Sequence, residues 1–140
     1  MNHLKLLIVS SAFIFLPGCA ALITLYDSYF MAKYDTNEYR IITEIRTISE
    51  VSQEECVNSD ISKQVFEGIY IKSVEFRNFS QYIPKNKDAN NLANSMVDLA
   101  KQGKEQYAKG SVSAGFCKLK LQQINRTSEE IQRVIGSKPR

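Results

Sequence analysis

The chain reads as an all-α protein: a four-helix up-down-up-down bundle with one disulfide, preceded by an apolar leader and a short helical arm. Three observations predict this. Apolar residues recur every three or four positions over most of the chain, and no alternating run of β-branched residues is long enough for a strand. Beyond the leader, glycine and proline are confined to Gly68, Gly103, Gly110, Gly115, Gly136, Pro84 and Pro139, mostly at the ends of the periodic stretches. Two cysteines, Cys56 and Cys117, fall where such a topology would bring them together.

Composition bounds the function. At 140 residues, 44% hydrophobic and 24% charged, the chain can build one compact domain. Its 18 basic and 15 acidic residues give a net charge of +3, too weak a balance to predict nucleic acid as a partner. The only histidine is His3, within the leader. A chain without a further histidine lacks the usual proton shuttle and the commonest metal ligand. That argues against most hydrolase, haem and zinc chemistry. No GxSxG, HExxH, GxxxxGKS/T or EF-hand spacing occurs. The sequence therefore predicts a non-enzymatic protein with no cofactor, no metal and no small-molecule substrate.

The N-terminus opens with one positive charge, Lys5, followed by an uncharged apolar run over 6–16, the size of a signal-peptide core. It ends in Leu16-Pro17-Gly18-Cys19. This resembles the lipobox of bacterial lipoproteins, although Pro17 departs from the usual Ala or Ser. The resemblance implies cleavage before Cys19 and diacylglycerol, with palmitate-type acyl chains, on its thiol. Ala20 behind it resembles an outer-membrane address in a Gram-negative host. The alternative is an uncleaved inner-membrane anchor, because 6–26 carries no Asp, Glu, Lys or Arg and could span about 30 Å of hydrocarbon. Both readings place the remainder outside the cytoplasm, facing the periplasm. Cys56 and Cys117 then form an even pair in an oxidising compartment. Their bridge, closing about 60 residues, would contribute about 4 kcal/mol in the chain-entropy model.

The expected organisation is a signal peptide over 1–18, a membrane-proximal arm over 19–35, a bundle over 36–136 and a tail over 137–140. Helix 1 should run over 21–56, with a stripe of Ile23, Tyr26, Phe30, Tyr34, Ile41, Ile45, Ile48 and Val51. A turn is skipped at 35–38, where Asp35 and Glu38 resemble a capping box that restarts the helix. Helix 2 follows the Asn58-Ser59-Asp60 cap cluster and stops before Pro84. Val65, Ile69, Phe76, Phe79 and Ile83 mark its buried side, with Phe66 and Tyr70 beside them. Helix 3, over 88–110, should bury Leu92, Met96, Leu99, Ala100 and Tyr107, although Gly103 costs about 1 kcal/mol relative to Ala. Helix 4, over 113–136, carries a heptad seam of Cys117, Leu121, Ile124, Ser128, Ile131 and Ile135.

Of the charged clusters, Glu54-Glu55 and Glu129-Glu130 read as solvated faces. The lysines Lys101, Lys104, Lys109, Lys118 and Lys120 largely suit the helix 3 dipole. The membrane-proximal aromatics Tyr26, Tyr29, Phe30 and Tyr34 stand out, because a lipid tether is commonly polar and flexible. They read as an interfacial anchor, as the base of the core, or as a surface that captures a protein partner in the envelope. In size, lipobox and cysteine spacing the chain is similar to the pilotins of type II secretion. These are all-α outer-membrane lipoproteins that grip a secretin helix in a groove. It is equally similar to small periplasmic immunity and exclusion lipoproteins of phages and plasmids. Both resemblances imply a membrane-anchored binding module; a structural envelope role is the remaining reading. Replacing Cys19 with Ala should abolish metabolic labelling with palmitate and leave an uncut N-terminus. Retained labelling would contradict the lipobox.

Overall fold

The computed structural model describes residues 30–140; Cys19, Tyr26 and Tyr29, with the leader and most of the arm, lie outside the described residues. Four helices follow in order, α1 (Thr36–Val51), α2 (Ser59–Ser80), α3 (Lys87–Lys109) and α4 (Ala114–Gly136), with a 3-10 turn (Glu54–Val57) between the first two. No strand occurs among the described residues. Helices α1 and α3 each pack against α2 and α4, the α1–α4 and α2–α3 seams being the most extensive. This is the antiparallel square of an up-down-up-down bundle. The end that carries the starts of α1 and α3 is called here the proximal end, because the chain enters there. The opposite end is distal.

Local chemistry sets the helix starts. Asp35 Oδ1 accepts from the Asn37 and Glu38 amides at 2.8 and 3.0 Å. Asn58 Oδ1 accepts from the Asp60 and Ile61 amides at 3.1 and 3.2 Å, and Ser113 Oγ accepts from Phe116 N at 3.2 Å. Each oxygen satisfies amides that a first turn would otherwise leave unpaired. At the end of α3, Gly110 takes a positive φ of 146°, a conformation other residues rarely adopt.

The predicted seam of α4 is buried throughout, from Cys117 to Ile135. Four other expectations need correction, one of them on α3, where Leu92 and Leu99 are only half-buried. Helix 1 stops at Val51 instead of running to Cys56, and Val51 is 65% exposed. There the bonding tightens to i→i+3, Glu55 N to Ser52 O and Asn58 N to Glu55 O, which turns the chain over into the α2 cap. On α1, Ile42 is buried alongside Ile41 and Ile45. On α2 the buried line is Ser62, Phe66, Ile69, Ser73, Phe76 and Ser80, while Val65, Phe79 and Ile83 are only half-buried.

The α2–α3 seam explains this shift. The buried residues of α3 are Ala89, Ala93, Met96, Val97, Ala100, Gly103 and Tyr107, most of them small. Against this line α2 sets Phe66, fully buried, with Phe76 also fully buried further along the helix. A Cβ added at Gly103 would stand 2.4 Å from Phe66 Cδ1, so the ring occupies the space that glycine leaves. Phe66 also stacks on Tyr107, ring centroids 5.4 Å apart, and the Tyr107 hydroxyl donates to Ser62 Oγ at 2.8 Å. Gly103 interrupts helix propensity because it seats a core aromatic.

Gly103→Ala is accordingly expected to destabilise the bundle by about 1–3 kcal/mol through overpacking, outweighing the roughly 1 kcal/mol that alanine gains in propensity. Urea denaturation monitored by circular dichroism measures it. A stabilised variant would contradict the packing.

Candidate functional site

Two features lie where the chain enters the bundle: a buried polar cluster at the proximal end and an apolar groove running from it along α1. The cluster centres on Glu38, in the first turn of α1 and fully buried. As a capping-box residue it would have turned back to the N-cap; its carboxylate instead points inward. Oε1 accepts from Ser80 Oγ and from Asn86 Nδ2, each at 2.6 Å. Oε2 pairs with the Lys138 ammonium, which is also buried. Asn86 Nδ2 further donates to the Ser80 carbonyl at 3.1 Å. Recruited in this way, Asn86 makes no side-chain cap bond to α3, whose N-cap position it occupies. Residues 137–140, read from the sequence as a tail, thus close the bundle. The Tyr34 amide donates to the Pro139 carbonyl at 2.9 Å, and the Arg140 guanidinium lies 5.5 Å from the Tyr34 ring.

This closure holds the entry of the chain. Tyr34 is half-buried, packs against the core and meets Tyr39 with ring centroids 5.9 Å apart. Of the aromatics singled out in the sequence, it is therefore fixed to the bundle. Phe30 is 59% exposed, and Tyr26 and Tyr29 lie outside the described residues. At the other end Cys56 and Cys117 form the expected disulfide, Cα atoms 5.6 Å apart.

From Tyr39 an open groove of about 560 Å³ follows the outer face of α1, lined by Thr36, Tyr39, Arg40, Thr43, Glu44, Thr47 and Ile48. The threonine methyls, the Tyr39 ring and Ile48 make this lining largely apolar. Its back wall is held by a polar ladder to α4. Arg46 donates to Gln132 Oε1 at 2.8 Å, Gln132 Nε2 donates to Thr43 Oγ1 at 2.7 Å, and Thr43 Oγ1 donates to the Tyr39 carbonyl at 2.7 Å. On the α2 side, Glu44 pairs with Arg40 and with Lys72 Nζ, the latter at 2.9 Å, and Lys72 reaches Glu75 at 3.0 Å. The bond from Lys72 is the main cause holding the Glu44 carboxyl below its ordinary pKa. The same contact, with Glu75, raises Lys72. Both groups are thus charged across the neutral range. The tie weakens only as pH falls through the lowered Glu44 value or rises through the raised value of Lys72.

The isoleucine periodicity of α1 does not mark this groove. A signal existed: Thr36, Tyr39, Thr43 and Thr47 repeat at helical spacing on the face opposite Ile41 and Ile45. The charged clusters sit as solvated or paired groups. Glu54 and Glu55 are exposed, Glu129 pairs with Arg133 at 2.5 Å, Lys101 with Glu105 at 3.7 Å, and Lys104 lies over Tyr70 at 4.8 Å. Among the described residues no three His, Cys, Asp or Glu side chains cluster closely enough to hold a metal, and no helix is long and apolar enough to cross a membrane. No family model, no curated protein and no solved structure matches the chain.

The ion pair yields a double-mutant prediction. Glu38→Gln or Lys138→Met alone leaves one charge buried without its partner and should cost about 3–5 kcal/mol. The double substitution should cost clearly less than the sum, measured by urea denaturation at pH 7. Additive losses would show that the two charges do not meet.

Proposed function

We propose that the protein is a lipoprotein of the bacterial cell envelope, anchored through Cys19 with its bundle in the periplasm, and that it acts by binding another protein instead of by catalysis. The observation that carries this reading is the groove on α1. It is apolar, elongated along the helix and backed by a hydrogen-bonded ladder, a shape suited to an amphipathic segment of a partner. Rigidity supports it as well. The groove's helix is fixed at one end by the Glu38 cluster and tied at the other through the disulfide beside it, so little ordering accompanies binding. Pilotin-like and exclusion-type roles both fall within this class.

The Cys19 anchor would raise the effective concentration of the groove for partners confined to the same surface. It would also present α1 first, since the arm leads directly into that helix. Tyr39, at the mouth of the groove, is the expected anchor residue, because aromatic side chains in such positions carry much of the binding energy.

The test is site-specific photocrosslinking in intact cells, with the probe at Arg40 or Thr47 in the groove and at the exposed Gln122 of α4 as reference. A discrete protein adduct from the groove positions and none from Gln122 is expected. Tyr39→Ala should weaken it about tenfold with the fold unchanged by circular dichroism. Equal adducts from both faces, or adducts only within the chain's own residues 19–29, would overturn the reading.

A further inference from the structure

We propose that the proximal end of the bundle is itself a membrane-docking surface that recognises anionic phospholipid. The proposal rests on the envelope-anchor reading for its setting and adds a contact that reading does not contain. The α2–α3 connection, 81–86, sits at this end, and Tyr82 there is 81% exposed, with Ile83 and Pro84 following. Phe30 and Met31, on the entering chain, are 59% and 38% exposed. The two segments are neighbours: Met31 and Ala32 share a cavity of about 180 Å³ with Lys85, Asn86, Ala89 and Lys138. Of the exposed large apolar side chains among the described residues, the two aromatic ones, Phe30 and Tyr82, both stand at this pole, with Met31 beside them.

Cations surround them. Lys33, Lys85, Lys87 and Arg140 are exposed at this end. Of the nearby acids, Asp35 is engaged in capping α1, Glu38 is neutralised by Lys138, and Asp88 is exposed. Tyrosine among lysines is the composition of a surface that sits at headgroup depth, rings in the interface and ammonium groups on phosphates. Residues 1–29 join the bundle at this same pole, so the chain's own connection to a membrane would bring this face against it. The distal end exposes Val51, Val57, Ile61 and Leu119 together with Lys63, Lys109 and Lys118, but it carries no exposed aromatic, and beside Val57, at 81%, lie Glu54, Glu55 and Asp60, which anionic lipid would repel.

The matched exposure of Tyr82 and Val57 makes the experiment internally controlled, and the absence of tryptophan gives a silent background. Full-length Tyr82→Trp and Val57→Trp proteins are reconstituted on vesicles of brominated phosphatidylcholine, with or without phosphatidylglycerol. Docking predicts blue-shifted, bromine-quenched emission from the Tyr82→Trp protein on phosphatidylglycerol vesicles and neither change from the Val57→Trp protein. Adding Lys33→Gln and Lys87→Gln should weaken docking by about fivefold for each charge removed, the circular dichroism spectrum remaining unchanged. Emission from the two positions that cannot be told apart, on vesicles with which the protein floats, overturns docking and leaves the anchor standing. Quenching that ignores phosphatidylglycerol overturns the recognition of anionic lipid. Quenching at low salt with loss of flotation at high salt supports docking and overturns the Cys19 anchor. Protection of position 82 only when an envelope protein is added would make this pole a protein interface and overturn the proposal.

Discussion

The Glu38–Lys138 ion pair is the constraint on which the arrangement of the helices depends. It joins the first turn of α1, the end of α2 through Ser80, the start of α3 through Asn86, and the residues after α4. Burying two charges is unfavourable unless each is paired and its remaining hydrogen-bonding capacity is met. Both Glu38 oxygens are engaged. Sliding α1 or the residues after α4 by a turn would leave a charge in the core without its partner, and sliding α2 or α3 would take a donor from Glu38 Oε1. A hydrophobic contact in the same place would tolerate such a slip far better, because apolar contacts are not directional. The pair therefore selects one register among several that the apolar stripes alone would permit.

The bundle is consequently fastened at both poles by different chemistry. Distally, the Cys56–Cys117 bond ties the end of α1 to the start of α4. Proximally, the Glu38 cluster and the Tyr34–Pro139 bond tie the beginning of the described chain to its end. Between the poles, the seam of α2 with α3 is packed large against small, with Phe66 over Gly103. These features leave the outer face of α1 as a long apolar groove bordered by fixed polar contacts. They also direct the entering chain along a defined line.

This geometry gives the proposed role a physical form. A binder that acts stoichiometrically benefits from a surface already in its bound shape and from confinement near its target. The groove offers the first, and an anchor at the proximal pole would offer the second. The basic, aromatic pole would then set the distance and tilt of the groove relative to the lipid, which a flexible tether alone leaves free.

The sequence by itself determined the helices, their order and the disulfide. Those follow from local signals: caps at Asp35, Asn58 and Ser113, breaks at Pro84 and Gly110, and a seam in α4 that keeps its period from Cys117 to Ile135. The cysteine pairing was legible as well, because alternating helix directions return the start of α4 to the end of α1. Tertiary structure alone decided the rest. Glu38 carries the local pattern of a capping box, and Lys138 follows the last helix like a tail. Nothing within either segment says that a partner 100 positions away awaits it in the core. Gly103 read as a weakness because its reason for being there, the Phe66 ring, lies on another helix. The α1 groove is illegible in the sequence for the same cause. Periodicity reports which face of a helix is apolar, whereas which apolar face stays open depends on where the other three helices stand.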